Sequence, residues 1–317
     1  MKQSKRPSKR IAIYLIAAGI LLACTGAAAG SKFSIINTSE GFKAAGEEDL
    51  QQEEWSLEEF NNIDINLNDA DIEVLPSTEY KIEIERLESR KVSHYVEDDT
   101  LFIEEENARP SFFMMNFAFV SYSTKVKVYV PETLEDIKID HHFGDLTLGG
   151  VESNFILISK EDGDIEIHNI QSKQLAIQNS YGDITGSDLK IDQLDLQLND
   201  GNVKLDSIDA ASAAFKNKFG DTTLQDYTSQ ETYLESTDGD LHIGGELLGD
   251  STITSSYGDI HLSLVNKQAE LNYDIENEYG DISINGQEYV DKASNHNDSD
   301  HKLTVSSKDG DVEMEVN

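Results

Sequence analysis

From Asn62 onward, apolar and polar residues alternate with a period of two. Ile63-Asp64-Ile65-Asn66-Leu67, Ile72-Glu73-Val74, Tyr80-Lys81-Ile82-Glu83-Ile84-Glu85, Leu101-Phe102-Ile103 and Lys125-Val126-Lys127-Val128-Tyr129-Val130 each place branched or aromatic side chains on one face. That pattern marks half-buried strands. No amphipathic helix of comparable strength competes with it, so the chain beyond Gly30 is predicted to be all-β.

An internal repeat then fixes the architecture. Glycines fall at 144, 163, 182, 201, 220, 239 and 258, each step 19 residues, followed by Gly280 after 22 and Gly310 after 30. After each glycine comes an acid or its amide, Asp145, Asp164, Asp183, Asn202, Asp221, Asp240, Asp259, Asp281 and Asp311. The next residue is expected to point inward, as in Leu146, Ile165, Ile184 and Val203. So are a second set two further on (Leu148, Ile167, Leu205) and a third five before the glycine (Ile139, Ile158, Ile177). A 19-residue unit cannot bury such a face alone, but stacked units can. The prediction is a single-stranded β-solenoid, or β-helix, of about nine 19-residue coils with a glycine at positive φ in each corner. At about 4.8 Å per coil the shaft would be roughly 43 Å long. The longer last steps predict loop insertions, the larger one a polar, mobile stretch at about 287–301. The strands before Pro131 would cap or extend one end, with Asp69-Ala70-Asp71 as a degenerate corner.

The residue before the glycine alternates: Phe143, Asp162, Tyr181, Asp200, Phe219, Asp238, Tyr257, then Tyr279 and Asp309. Either the rings alternate with small residues so that each covers the gap beside it, or they form a stripe on which sugars could stack.

The N-terminus has a different character. Lys2, Lys5, Arg6, Lys9 and Arg10 precede an uncharged run, Ile11 to Gly30. As a helix, twenty residues would span about 30 Å, one hydrocarbon core. The basic flank would stay cytoplasmic and everything after Gly30 would lie outside, on the cell membrane, as a single-pass or lipid-anchored protein. A cleaved signal peptide is the competing reading. Leu21-Leu22-Ala23-Cys24 is similar to a lipoprotein cleavage box, which makes Cys24 the candidate lipidation site; Leu22 and the apolar residues after Cys24 depart from that pattern. The predicted organisation is an anchor or signal segment at 1–30, an acidic linker at 31–60 whose Trp55, Leu57 and Phe60 dock its end, a β-strand region at 61–140 and the repeat solenoid at 141–317.

Charge narrows the partners. Beyond the anchor, 20 basic residues face 61 acidic ones, a formal charge of −41. Nucleic acid binding needs a basic surface and is excluded. Cys24 is the single cysteine, so there is no intrachain disulfide.

The strand ending at Pro131, the following Ile137-Lys138-Ile139 and the serial Gly-Asp-Ile/Leu corners together resemble the bacterial "putative adhesin" β-strand-repeat family. This is a domain-of-unknown-function family common in Gram-positive envelopes that includes accessory proteins of lia-type envelope-stress systems. The resemblance covers about Asn62 to Asn317 and the anchor. It implies the fold and an envelope location, and it brings no catalytic motif.

Candidate chemistry is sparse. The aspartates after the glycines stack, so they need compensation. Either each accepts a backbone N–H at its corner, or neighbours such as Asp164, Asp183, Asp240 and Asp259 share Ca²⁺ as a cation ladder. His242 and His261 occupy equivalent outward positions, and His141-His142 are assigned to a turn. The apolar stretch Arg109 to Val120 is read as a flap over the solenoid end or as a partner surface. No phosphate loop, nucleophile elbow or His-Glu-x-x-His motif occurs, and no cofactor is called for. The expectation is a non-catalytic adhesion, interaction or envelope-stress accessory module. It would be tethered to the membrane and partnered by an envelope protein or wall component. The alternatives are a Ca²⁺-binding surface protein or a polysaccharide-processing β-helix.

Overall fold

The computed structural model describes residues 8–28, 34–38, 41–45, 49–88, 90–105 and 123–317. They divide into two compact units. The smaller holds the helix Ser8–Ala28 and an antiparallel pair, Ser34–Thr38 with Gly41–Ala45. The stretch 31–60 was expected to be a linker, but it carries these two strands and a third, Leu50–Ser56. Period-two patterning is weak in all three, which hid them. Phe60 is buried, and Trp55 and Leu57 pack against the core, as expected. In the helix, Ile13, Tyr14, Leu15, Ile16, Ile20, Leu21 and Leu22 are all exposed. Among residues with described side chains, no helix is long and apolar enough to cross a membrane; in Ser8–Ala28 these are only 13–22, 25 and 26. The side chain of Cys24 and the whole of Arg109 to Val120 lie outside the described residues.

The larger unit is a stack of parallel coils. Leu146–Asp162, Ile165–Tyr181, Ile184–Asp200, Val203–Phe219, Thr222–Asp238 and Leu241–Tyr257 follow one another in register. Ile165 lies opposite Ile184, and Ile184 opposite Val203. Two register shifts occur, between Leu224 and Tyr227 and between Ser229 and Glu231. Each strand of 17 residues is bent. The first corner is the glycine, at φ of +108° to +155°. The second lies six residues later, at Gly150, Asn169, Asp188, Ser207 and Asp226, all left-handed at φ 46–68°. Asn, Asp and Gly tolerate that conformation best. Nine residues after the corner glycine, Ser153, Ser172 and Ser229 donate their hydroxyls to the carbonyls of Phe155, Gln174 and Glu231. The predicted inward columns are buried. Two further buried columns come from the return segment: Val151, Ile170, Leu189, Ile208 and Tyr227, and Ile156, Leu175, Leu194 and Ala213.

The coils at both ends are stacked out of chain order. Asn62–Pro76 lies between the strands Asp136–Phe143 and Leu146–Asp162 on one side and Thr100–Glu105 and Thr124–Val130 on the other. The stack therefore begins before residue 141. At the far end, Lys302–Asp309 slots between Leu241–Tyr257 and Asn272–Tyr279. Val312–Val316 likewise slots between Ile260–Leu264 and Ile282–Ile284. The stretch 287–301, expected to be a mobile loop, instead supplies two strands. Gln287–Tyr289 and Lys292–Asn295 run antiparallel on the last coil. Val92–Glu97 and Lys81–Leu87 do the same at the other end. Antiparallel caps occupy edges that would otherwise pair with another chain.

Candidate functional site

The glycine corners build one continuous edge. At Gly163 the N–H donates forward to the Tyr181 carbonyl (2.9 Å), and the Ile165 N–H donates forward to Asp183 (2.9 Å). Between them the chain reverses, and the Asp164 N–H turns back to Oδ1 of Asp145 (3.0 Å). The next coils repeat this: Asp183 to Asp164 (2.8 Å), Asn202 to Asp183 (2.8 Å), Asp221 to Asn202 (3.0 Å), Asp240 to Asp221 (2.9 Å) and Asp259 to Asp240 (2.9 Å). The column then passes to Asp311 (2.8 Å) and only afterwards to Asp281 (2.9 Å). At the other end it reaches Asp71, in the degenerate corner. Each carboxylate thus caps an N–H of the following coil rather than of its own turn, because the glycine's positive φ aims that N–H out of the backbone ladder.

Asp164 and Asp183 are neighbours, as are Asp240 and Asp259, with Asn202 and Asp221 between the pairs. Among the described residues, no group of three or more His, Cys, Asp or Glu side chains is arranged to hold a metal ion. Asn202 already serves with an amide oxygen. The triple change Asp164→Asn, Asp183→Asn, Asp240→Asn should therefore hold or raise the melting temperature. The corresponding alanines should each cost about 1–2 kcal/mol in urea unfolding, by loss of a charged acceptor.

A column missed in the sequence lies three residues before each glycine: His141, Lys160, Asn179, Leu198, Asn217, Ser236, Ser255, Asn277 and Ser307. All are buried. Asn179 donates to the carbonyls of Gly163 (3.1 Å) and Gly182 (3.4 Å). Asn217 donates to Gly201 (3.2 Å) and Gly220 (2.8 Å). One amide serves two coils, so the intervening Leu198 needs no polar group. The recurring Asn-x-aromatic-Gly at 179–182, 217–220 and 277–280 was the available signal. Asn217→Ala should cost about 1–2 kcal/mol in urea unfolding, since two part-buried corner carbonyls lose its donated bonds.

His141 is likewise not a turn residue. It is buried in Asp136–Phe143, with Nδ1 3.2 Å from Nζ of Lys160. Lys160 Nζ also donates to the carbonyls of Gly144 and Asp162. Burial pushes Lys160 down to about 8 against the pull of Asp145, Asp162 and Asp164. Burial, then the Lys160 charge, pushes His141 down to about 4. His242 and His261 stack with centroids 4.8 Å apart, as their equivalent positions predicted, and His261 Nδ1 lies 3.2 Å from a Glu313 oxygen.

The residues before the glycines stand outside this ladder. Phe143, Tyr181, Phe219, Tyr257 and Tyr279 are 41–62% exposed. Asp162 pairs with Phe143 and Tyr181, Asp200 with Tyr181 and Phe219, and Asp238 with Phe219 and Tyr257. The sequence breaks the alternation at Tyr279 and Asp309, but space restores it. Asp309 accepts from Gly258 and pairs with Tyr279, so it sits between Tyr257 and Tyr279. Asp69, opposite Phe143 and paired with Arg90, continues the pattern at the start.

The Toastrack DUF4097 family model matches residues 60–315. The chain belongs to this family. Solved structures similar to this Toastrack chain include a "putative adhesin" from Bacteroides fragilis. It is 17% identical, over 84% of this chain and 97% of that one, with a TM-score of 0.45. Others are a "putative lipid binding protein" from Parabacteroides distasonis (15%, 85% and 98%, 0.49) and a "putative adhesin" from Parabacteroides merdae (14%, 84% and 97%, 0.38). No curated protein matches the chain.

Proposed function

We propose that this Toastrack protein is a non-catalytic interaction module of the cell envelope. In this reading it is held in the membrane by Ile11–Gly30 and displays a shaft of about nine coils outside, as an adhesion or envelope-stress accessory component. The observation that carries the reading is the corner edge, where an unbroken ladder presents the same residue types at the same place on coil after coil. Such a surface suits extended partners. The tether is supported by the helix Ser8–Ala28, whose described apolar side chains are exposed on every side. Such a helix calls for apolar surroundings. Labelling intact cells with a membrane-impermeant amine reagent should modify lysines beyond Gly30 and spare Lys2, Lys5 and Lys9; labelling of the shaft only after lysis would overturn the topology. Mass spectrometry of the N-terminus separates a retained helix from lipidated Cys24. Affinity capture from envelope extract should retain a stoichiometric partner, whereas release of sugar fragments would replace the module by an enzyme.

A further inference from the structure

The corner ridge identifies a partner class, an inference that rests on the reading of the shaft as an interaction module. We propose that the alternating ring–carboxylate ridge is a docking surface for an extended basic polypeptide with a lysine or arginine at every third residue.

The rings are not required by the fold. The same backbone position holds Asp162, Asp200, Asp238 and Asp309 in the intervening coils, and those coils pair as regularly as the others. Nor do the rings cover the core, since each stays at least 41% exposed. What the alternation builds is a row of π-faces, each with carboxylates on the neighbouring coils. The Asp column two residues further along adds a second anionic row. No lysine or arginine stands in either row. The ring faces already draw the molecule's own cations. Lys218 Nζ lies 5.3 Å from the Phe219 centroid, and Lys308 Nζ lies 6.0 Å from that of Tyr257. A cation over a ring and between carboxylates is held by both.

The spacing selects the partner's conformation. Rings recur every second coil, at about 9.6 Å. Three residues of polyproline II rise about 9.3 Å, so a cation at every third residue keeps step with the rings. A β-strand, with same-side residues about 6.7 Å apart, does not. An anionic polymer is repelled by the carboxylates, and a neutral glycan gains nothing from their charge.

The test uses the full-length chain in nanodiscs and a fluorescent peptide of repeated Lys-Pro-Pro. The peptide should bind, and the triple variant Tyr181→Ser, Phe219→Ser, Tyr257→Ser should weaken it by about tenfold or more. Neutralising an exposed set elsewhere on the shaft, Asp192→Asn, Asp209→Asn and Glu231→Gln, should change binding by less than about twofold. Unchanged circular dichroism in both variants keeps the comparison one of binding. Equal weakening by both variants, or none by the ring variant, overturns the ridge as the site. Binding of chitohexaose but not of the peptide overturns the partner class and leaves the interaction module standing. If neither probe binds while the unmodified chain and the ring variant capture the same envelope partner, the inference fails alone. If no probe binds and nothing is captured, both readings fail.

Discussion

Replacing Gly220 by alanine should lower the unfolding free energy by about 3–5 kcal/mol, the largest loss expected from removing no contact at all. Two costs coincide there. The backbone sits at φ +115°, outside the region L-residues favour, and an added Cβ would lie 2.2 Å from the Gly201 carbonyl oxygen and 2.7 Å from its carbon. The obstacle is backbone, so no rotamer relieves it. The coil cannot shift away either. Gly220 donates to Asp238, Asp221 to Asn202 and Thr222 to Asp240, all within 3.0 Å. Gly286→Ala is the control. Its φ is +76°, but nothing lies within 4 Å of the added carbon, so only the conformational cost of about 1 kcal/mol remains. Urea unfolding of both variants measures the difference, and equal losses would show that close stacking of the corners contributes little.

That glycine column was the most legible part of the chain, because its two constraints admit one residue type and so leave an unbroken spacing of 19. The inward columns beside it were legible for a similar reason, since a strand face accepts only apolar groups. The second corner was harder to see. At 169, 188, 207 and 226 it is Asn, Asp, Ser and Asp, residues that also read as ordinary solvated surface. The polar column at 141, 160, 179 and 217 was obscured because its members are chemically unlike: Lys160, Asn179 and Asn217 donate to glycine carbonyls, whereas His141 meets Lys160. Histidine, lysine and asparagine do not form one class in a hydropathy pattern.

The order of the terminal coils was hidden for a different reason. Every coil offers the same ladder and the same apolar face, so pattern alone does not say which coil stacks on which. The trace of it was the broken alternation at Tyr279 and Asp309. Stacking Lys302–Asp309 inside Asn272–Tyr279 keeps an aspartate between two rings and keeps Asn277 next to the Gly310 carbonyl, 2.8 Å away. The two-coil grammar of rings, amides and aspartates therefore selects the stacking order. The ridge inherits its regularity from that choice.

The buried pair His141 and Lys160 should make the shaft lose stability on acidification through a window its carboxylates do not set. His141 titrates near 4 in the fold against 6.5 ordinarily. Between those values the unfolded chain binds the proton and the folded chain does not, so stability falls as pH drops from 6.5 to 4. The loss is about 3 kcal/mol for a shift of this size. Lys160 titrates near 8 against 10.5 ordinarily. Here too the unfolded chain holds more protons, so stability rises as pH climbs from 8 to 10.5. Both windows have the same sign. The acids respond as well; the difference between the parent and His141→Asn curves isolates the histidine, whereas Lys160→Asn also takes an ammonium away from Asp145, Asp162, Asp164 and Asp71. His141→Asn places at this position the amide that Asn179 carries in its own coil, and it should flatten the curve between pH 4 and 6.5. Lys160→Asn should remove the alkaline slope. It should also narrow the acid window, because the lysine's charge is part of what holds His141 down. Urea unfolding across pH 4 to 10.5 for the three proteins measures this. Parallel curves for parent and His141→Asn would show that the buried histidine takes its proton in the fold as readily as outside it.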